Sequence, residues 1–157
     1  MSSTGPLTLA MIKPHIVMGR NVGQVITAIE EGGFSILLAK MIQLRSEGAE
    51  EFYKEHEGKD FFPNLINVMT TGPVWVMVVS HENAVDEWRN FIGATNPAEA
   101  EPDTLRARFG DHENLTNNAV HGSATDHDAQ REIGFFFGRE ITLAEKIDAI
   151  DNGREVS

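Results

Sequence analysis

Hydrophobic residues along the chain fall into short apolar runs and into longer stretches with helical spacing. Leu7–Ile12 and Val74–Val79 are almost continuously apolar, whereas Phe34–Leu44 mixes apolar positions with polar ones such as Lys40 and Gln43. Short runs of this kind, rich in β-branched residues, predict strands, and a continuously apolar run predicts burial on both faces. Three strands are therefore predicted, of which Val74–Val79 is the clearest.

Helical spacing predicts helices between and after these strands. Val22, Val25, Ile26 and Ile29 recur at intervals of three and four before the glycine pair that begins at Gly32, which predicts an amphipathic helix. Further helices are predicted over five segments: Ser46 to about His56, a short element from Phe61 with Pro63 in its first turn, a segment through Ile92, Pro102–Phe109, and Ser123–Asp128 onward to Gly138.

The order of these elements predicts an α+β fold with a small, mostly antiparallel sheet and helices on one face. A fourth strand is expected near Ile36–Met41 or between His121 and Ile133, where the pattern does not place it cleanly.

Length and composition indicate one domain. The 157 residues are 41% hydrophobic and 24% charged, which is ordinary for a globular protein with one core. We expect a single domain over 1–157, with a core at about 6–138 and a C-terminal tail at 139–157. The tail includes Thr142–Glu145, a capping-box sequence that predicts a short helix or a partner-dependent arm.

The charge balance narrows the choice of partners. A formal net charge of −11 with only 13 Lys and Arg disfavours non-specific binding to nucleic acid or to anionic membranes. No apolar stretch approaches the length of a membrane span, and Met1–Pro6 lacks a basic region, so a cytoplasmic protein without a membrane partner is expected. The chain has no cysteine, which excludes disulfides and Cys-based zinc sites.

Candidate chemistry centres on His121, which lies in the polar run Asn118–Ser123 and is followed by Glu132. Lys13 comes at the carboxyl end of the first predicted strand, where ligands of open sheets often bind. Thr95 and two arginines complete the set, since arginine offers forked donors that suit phosphate oxygens: Arg89 and Arg106. Taken alone, a histidine beside a glycine is more often an ordinary turn residue, a lysine at a strand end is more often solvated, and surface arginines commonly form weak ion pairs.

Several other chemistries lack their motifs. No Gly-x-x-x-x-Gly-Lys-Ser/Thr or Gly-x-Gly-x-x-Gly run is present, so phosphate would be held by side chains rather than by a glycine-rich loop. His121 and His127 do not have a recognised zinc spacing. A serine hydrolase is also disfavoured, because no Gly-x-Ser-x-Gly elbow occurs.

From Leu7 to about Phe137 the chain resembles the nucleoside diphosphate kinase family. The most specific piece is Asn118-x-x-His121-Gly-Ser123. Other pieces agree with the family in order and spacing: Leu9-Ala-Met-Ile-Lys13-Pro14, Phe52-Tyr53-x-x-His56 with Phe61-Phe62, Met69-x-x-Gly72-Pro73, Gly93-Ala-Thr95-Asn-Pro97, Thr104-Leu-Arg106 and Glu132-Ile-Gly-Phe-Phe. The resemblance implies a ferredoxin-like βαββαβ sandwich, with helices packed on a four-stranded antiparallel sheet and a C-terminal extension.

The resemblance also implies a mechanism. A nucleoside triphosphate such as ATP would give its γ-phosphoryl group to His121, and the phosphohistidine would pass it to a nucleoside diphosphate in a ping-pong exchange. Glu132 would bind the ring nitrogen that does not attack, and Ser123 would support Glu132. Lys13 would reach the transferring phosphate, with Tyr53 beside it and beside the histidine.

For the nucleotide, the resemblance implies phosphate contacts from Arg89, Thr95 and Arg106 and a ribose contact from Asn118. Phe61 would stack on the base, and Leu65 and Leu115 would line the same cleft. Stacking accepts any base, so broad base and sugar specificity is expected. Mg²⁺ would be carried by the nucleotide phosphates without a dedicated protein site, and a homo-oligomer is expected.

Three features depart from the family pattern. Arg108 stands where an acidic residue is usual, the segment around Asp111–Asn114 is about two residues longer, and Ala124-Thr125 replaces the common Asp-Ser. The first two affect a loop near the nucleotide and the subunit contacts.

Two non-catalytic interpretations of a ferredoxin-like module compete with this one. An RNA-binding domain would need a basic face and aromatic residues on its strands, which the acidic charge and the Val-, Ile- and Met-rich strands do not provide. A catalytically inactive nucleotide sensor is compatible with the composition, but it would have little need of His121 and Glu132 at this spacing.

Overall fold

The computed structural model describes residues 5–140, without the side chain of Arg139. The predicted capping box Thr142–Glu145 and most of the predicted tail lie outside the described residues.

Within residues 5–140 the chain forms one antiparallel sheet of four strands, in the spatial order β2-β3-β1-β4. The strands are β1 (Leu7–Ile12), β2 (Ser35–Ile42), β3 (Val74–Ser80) and β4 (Val120–Gly122). Each neighbouring pair is antiparallel, with Leu9 opposite Val78 between β1 and β3. This arrangement confirms the α+β prediction and is consistent with the ferredoxin-like fold, and the three strands expected from their apolar runs are present.

The fourth strand differs from the expectation in its position. β4 (Val120–Gly122) has only three residues with His121 at its centre, so it begins before the range between His121 and Ile133 where a strand was expected. Ile36–Met41, the other expected location, is part of β2. Three residues are too few to give a period-two signal, so only pairing with β1, which puts His121 opposite Met11, reveals this strand.

Helices occupy the connections. Their bounds are α1 (Pro14–Met18), α2 (Val22–Glu31), α3 (Ser46–Phe52), α4 (Phe62–Met69), α5 (Ala84–Ile92), α6 (Leu105–Phe109) and α7 (Asp126–Phe137), with 3₁₀ turns at Lys54–His56, Pro97–Glu99 and Gly138–Glu140. The helix expected from Ser46 to His56 therefore ends at Phe52 and continues as a 3₁₀ turn. α1 was not predicted, because five residues are too few for a periodic signal.

The prediction of helices on one face of the sheet is wrong, because both faces are covered. On one face Leu9, Val76 and Val78 pack with residues of α3, α4 and α7 such as Phe52. On the other face Met77 and its neighbours pack with α2 and α5. The physical reason is visible in β3, whose nearly continuous apolar sequence requires cover on both sides.

Pairing of β1 with β4 brings two distant segments together at one edge of the sheet. Lys13 follows the last residue of β1, and its backbone N–H donates to the carbonyl of Ala119 at 2.8 Å. That bond continues the β1–β4 pairing, so Lys13 and His121 become neighbours although they are far apart in sequence. In the part of the chain that the structure describes, no helix has the length and apolar character needed to cross a membrane.

Candidate active site

His121 is held by a buried carboxylate. Its Nε2 lies 2.6 Å from Oε1 of Glu132, which α7 brings beneath β4, and the Glu132 side chain is almost completely buried. Ser123 Oγ donates to the same Oε1 at 2.9 Å. A carboxylate at this distance favours the proton on Nε2, so the lone pair of the neutral ring resides on Nδ1. The ring nitrogen with nucleophilic character is therefore fixed by Glu132.

Aromatic packing fixes the imidazole plane as well. The rings of Phe52 and Tyr53 approach the His121 ring edge to face, with centroids at 5.2 and 5.9 Å. Behind the strand, Trp88 Nε1 donates to the His121 carbonyl at 3.1 Å. Gly122 permits this close approach, since a Cβ there would lie 2.7 Å from Cδ1 of Trp88. The histidine thus has little freedom in either backbone or side chain.

His121 faces a cleft of about 360 Å³. Nine of the predicted site residues line it: Lys13, Tyr53, Phe61, Leu65, Thr95, Arg106, Leu115, Asn118 and His121. Glu132 and Ser123 do not line the cleft, because they lie behind the histidine and act on it through hydrogen bonds. The cleft therefore combines the strand ends with residues from α4 and from the loop before β4.

Lys13 is a buried cation at the inner end of the cleft. Its side-chain Nζ donates to the Thr116 carbonyl at 3.3 Å, and only 6% of the residue is exposed. Burial, with the nearby positive charge of Arg106, lowers the pKa of Lys13 to about 7. An anionic ligand in the cleft would favour the charged form of this lysine.

Arg106 is tied to the backbone of two segments that form the cleft. Its two terminal nitrogens donate to the carbonyls of Gly93 and Val120, each at 3.0 Å. Burial is the main cause that lowers the pKa of Arg106 to about 10. The positive charge of Arg89 lowers the pKa further, and the nearby Tyr53 acts in the opposite direction. Arg106 therefore both supports β4 and keeps positive charge beside the histidine at neutral pH.

Three buried polar atoms of the cleft have no hydrogen-bond partner among the described residues: the Tyr53 hydroxyl, Asn118 Oδ1 and Arg106 Nε. Burial raises the pKa of Tyr53, so its hydroxyl keeps its proton and is a donor at neutral pH. Asn118 Nδ2 is already used, because it donates to the Thr95 carbonyl at 3.0 Å. Unpaired buried polar atoms are costly, and a ligand with phosphate or hydroxyl groups would pair with them.

Arg89 is the one predicted phosphate ligand that the structure does not bring into this cleft. It lines an adjoining depression of about 550 Å³, which Thr95 and Arg106 also line. Its Nη1 donates to the Ala124 carbonyl at 3.2 Å, and the residue is exposed. The phosphate role of Arg89 stays a prediction.

The outer end of the cleft is apolar and open. Phe61 is 49% exposed and Leu115 is 52% exposed, whereas Leu65 is buried. The Phe61 ring packs against His56, with centroids at 5.3 Å. An exposed aromatic ring at the mouth of a cleft is suited to stacking on a planar ligand.

Sequence reasoning assigned no role to three residues that line the cleft, His56, Thr116 and Val120. His56 was noticed as part of the Phe52-Tyr53-x-x-His56 spacing, which places it at the end of the 3₁₀ turn after α3. Thr116 contributes its backbone carbonyl to Lys13, and no side-chain pattern signals such a contact.

The loop that departs from the family pattern is closed by its own hydrogen bonds. Asp111 N–H donates to the Asn117 carbonyl at 2.8 Å, and Glu113 N–H donates to Oδ1 of Asp111 at 2.9 Å. Arg108 is exposed and packs its guanidinium over the Phe109 ring at 5.1 Å. Among residues 5–140, no group of three or more His, Asp or Glu side chains is arranged to hold a metal ion.

Comparison with known proteins gives concordant matches. Residues 7–141 match the family model described as nucleoside diphosphate kinase. A nucleoside diphosphate kinase of Histophilus somni (strain 2336) is 48% identical over 130 residues, which cover 83% of this chain and 91% of that protein.

Solved structures agree in fold. The nucleoside diphosphate kinase of Aquifex aeolicus superimposes with a TM-score of 0.80 at 35% identity, covering 84% of this chain and 94% of that one. A halophilic nucleoside diphosphate kinase from Halobacterium salinarum, in complex with CDP, superimposes with a TM-score of 0.79 at 35% identity, covering 83% and 86%.

The fold, the cleft and these matches define an enzyme of the phosphotransferase class that acts on nucleotides. The chain belongs to the nucleoside diphosphate kinase family, because the family match covers most of its length. Its activity is the transfer of the γ-phosphoryl group from a nucleoside triphosphate to a nucleoside diphosphate through a phosphohistidine, as in the family.

Proposed function

We propose that Nδ1 of His121 is the atom that carries the phosphoryl group. In the first half-reaction its lone pair forms a bond to the γ-phosphorus, and the bond from that phosphorus to the bridging oxygen breaks, with its electrons leaving on the nucleoside diphosphate. In the second half-reaction a terminal oxygen of an acceptor diphosphate attacks, and the N–P electrons return to Nδ1. The 2.6 Å contact between Nε2 and Glu132 carries this proposal, because it leaves only Nδ1 with a lone pair.

In this proposal Glu132 also stabilises the charge that develops on the ring. Phosphorylation of Nδ1 makes the imidazole cationic while Nε2 keeps its proton, and the carboxylate lies directly against that proton. Ser123 keeps the carboxylate in place through its 2.9 Å hydrogen bond.

The cations and the unpaired polar atoms of the cleft would bind the phosphates and the sugar. Lys13, Arg106 and the Tyr53 hydroxyl surround the position beside His121, where phosphate oxygens would accept their hydrogen bonds. Asn118 Oδ1 is unpaired and would accept from a ribose hydroxyl. Thr95 lines both the cleft and the adjoining depression, and Arg89 lines the depression, so both would contact phosphates that extend there. Phosphoryl transfer depends mainly on such positioning and charge stabilisation.

The base would rest at the outer end. Phe61 offers an exposed ring face, and Leu65 and Leu115 offer aliphatic contacts. Since stacking does not discriminate between bases, this site supports broad specificity for purine and pyrimidine nucleotides.

Mg²⁺ would enter as part of the nucleotide complex. Lysine, arginine, hydroxyl and amide groups dominate the polar lining of the cleft, and these suit phosphate oxygens better than they suit a hard divalent cation. The ion would reduce repulsion between phosphate oxygens as the nucleotide binds. Loss of activity on chelation, restored by added Mg²⁺, tests this part.

Homo-oligomer formation and a cytoplasmic location complete the proposal. β2 is an edge strand of the sheet, and it exposes Met41 and partly exposes Ile36 and Leu38, which suits pairing with a second copy. Sedimentation of the full chain tests the first statement, and cell fractionation tests the second.

The nucleophile is tested by incubation with ATP labelled at the γ position. The wild-type protein should give an acid-labile, base-stable phosphoprotein, and addition of a nucleoside diphosphate should discharge it. His121→Ala should abolish both labelling and exchange, whereas His127→Ala, at an exposed position of α7, should change neither. Labelling that persists in folded His121→Ala would contradict the assignment, and binding of nucleotide without labelling of the wild type would indicate a sensor.

A further inference from the structure

The segment just before His121 contains a strained turn. Ala119 has a φ of +75°, and the Val120 N–H donates to the Asn118 carbonyl at 2.9 Å. A hydrogen bond across three residues with a positive φ at the central one defines a γ-turn of the rare, strained type. Ala119 is fully buried and is not glycine, so the surrounding structure has to maintain this conformation.

Two residues in the segment that follows β1 hold the turn from both sides: Lys13, directly after the strand, and His15, in α1. The Ala119 carbonyl accepts from the Lys13 N–H at 2.8 Å. The Ala119 N–H donates to Nε2 of His15 at 3.0 Å. Both peptide groups of the strained residue are therefore fixed by the short segment that also carries the buried lysine of the cleft.

The turn links two residues of the cleft. Asn118 is the first residue of the turn and has a buried, unpaired Oδ1, and His121 directly follows the last residue, Val120. The Val120 carbonyl, at the exit of the turn, accepts from Arg106. Relaxation of Ala119 toward a negative φ would therefore rotate Asn118 relative to the strand that carries His121.

We propose that His15 is a positioning residue for phosphoryl transfer, because its unprotonated Nε2 holds the γ-turn at Ala119 and so sets Asn118 and His121 relative to each other. The proposal rests on the proposed role of His121. His15 itself acts through Ala119 and needs no contact with the nucleotide.

The bond fixes the protonation state of His15. A backbone N–H can only donate, so Nε2 must present its lone pair and the ring proton must reside on Nδ1. A doubly protonated ring has no acceptor, and it would release the turn.

The charges around His15 favour the neutral ring. Burial and the positive charge of Lys13 lower the pKa of His15, and the negative charge of Asp111, in the loop after α6, acts in the opposite direction. Because the folded protein lowers this pKa, the contact is present near neutral pH and is lost only as the pH falls through the lowered value.

The test uses two replacements of His15 in the full-length protein. His15→Gln keeps an acceptor that cannot be protonated, and His15→Leu removes the acceptor. We expect His15→Leu to lower kcat roughly tenfold at neutral pH, the scale of one hydrogen bond in a strained site, and His15→Gln to stay within about threefold of wild type. His127→Gln is the matched control at an exposed histidine.

The pH dependence of the two rates distinguishes a positioning role of His15 from a role in folding stability alone. The ratio of the His15→Gln rate to the wild-type rate should rise as the pH falls, because only the wild type loses its acceptor. A flat ratio, or a His15→Leu rate equal to wild type, would overturn the proposal.

A second variant covers the case in which His15→Leu folds poorly. Glycine adopts a positive φ without strain, so Ala119→Gly in the His15→Leu protein should restore part of the lost rate. Failure of rescue in a double variant with native circular dichroism would count against the proposal.

NMR keeps the two hypotheses distinguishable. The ¹⁵N shift of His15 Nε2 should be that of an unprotonated, hydrogen-bonded nitrogen, and the Ala119 amide should exchange slowly. If the wild type showed no phosphoryl exchange, the proposed function would be wrong, but the NMR measurement would still show whether His15 Nε2 accepts from the Ala119 N–H. If exchange were normal but Nε2 carried the proton, the positioning role alone would fail.

Discussion

The two ends of the cleft are built in opposite ways. At the inner end, Lys13 is 6% exposed, and Ser123 and Glu132, which lie behind His121, are 1% and 2% exposed; each is hydrogen-bonded to a neighbour. At the outer end, Phe61 and Leu115 are about half exposed. The inner end fixes the orientation of His121, whose Nδ1 we propose reacts, whereas the outer end offers an exposed apolar surface. The contrast suits an enzyme that performs one reaction on many bases, because precise placement is needed only where bonds change.

The contrast also has an energetic side. Buried charge is maintained at the inner end at a cost to the folded state, and this cost is tolerated where it supports chemistry. The exposed outer residues contribute little to folding, so their replacement should affect binding with little effect on stability. Four replacements, from the largest expected effect to the smallest, examine this division.

Glu132→Gln should have the largest effect. The amide oxygen can still accept from Nε2, but it brings no negative charge to a ring that becomes cationic on phosphorylation. We expect kcat to fall on the order of 100-fold. Single-turnover phosphorylation by ATP measures this, with the exposed Glu47→Gln as the control. A rate near that of wild type would mean that Glu132 acts by shape alone.

Lys13→Met should abolish most of the activity yet stabilise the fold. The cation that we propose contacts the transferring phosphate is lost, but so is the burial of a charge, and we expect the free energy of unfolding to rise by about 1–4 kcal/mol near pH 7. Urea unfolding measures the change, with the exposed Lys54→Met as the comparison.

The pH dependence of Lys13 has a defined sign. The folded protein lowers its pKa from 10.5 to about 7, so the unfolded chain binds more protons between these values. The free energy of unfolding of the wild type should therefore increase as the pH rises from about 7 to 10.5, and that of Lys13→Met should not show this increase. A difference in free energy of unfolding between wild type and Lys13→Met that does not change with pH would contradict the lowered pKa of Lys13.

Phe61→Ala should act on binding alone. Loss of a stacking face should raise KM about tenfold for purine and pyrimidine nucleotides alike, with kcat changed far less. The free energy of unfolding should stay within about 0.5 kcal/mol of wild type, since half of the ring is already in solvent. A selective effect on one base class would show that the outer end reads base identity.

Leu115→Ala should have the smallest effect. It removes a half-exposed aliphatic contact, and we expect KM to rise by no more than about threefold. An effect as large as that of Phe61→Ala would indicate that the loop of Asp111–Asn114 closes over the nucleotide.

Much of the fold was predictable because short apolar runs and helical spacing in the sequence specify it. Leu7–Ile12 and Val74–Val79 appear as β1 and β3 almost to the residue, and Val22–Ile29 forms α2 before Gly32. A fourth strand was expected but not placed correctly, and the five-residue helix α1 was not predicted, because β4 and α1 are each too short for periodicity and form through tertiary contacts. The cover on both faces of the sheet was also missed, although the continuous apolar sequence of β3 already required it.

The site divides in the same way. The spacing Asn118-x-x-His121-Gly-Ser123, with Glu132 downstream, was readable because one strand and one helix carry it, and the expected contacts are those in the structure. Nothing local indicated that His15 accepts from Ala119, or that Arg89 lies beside the cleft rather than in it. Such contacts join segments that meet only when the sheet and its helices pack.

The sequence by itself determined the class of fold, the family and the identity of the residues around His121, because strand patterning and motif spacing act over short stretches of chain. Only the tertiary structure decided which nitrogen of His121 is free, how strongly Lys13 is buried and what holds Ala119 in its strained turn. Those properties depend on distances and burial between segments up to about a hundred residues apart, such as His15 and Ala119, and sequence order alone does not specify them.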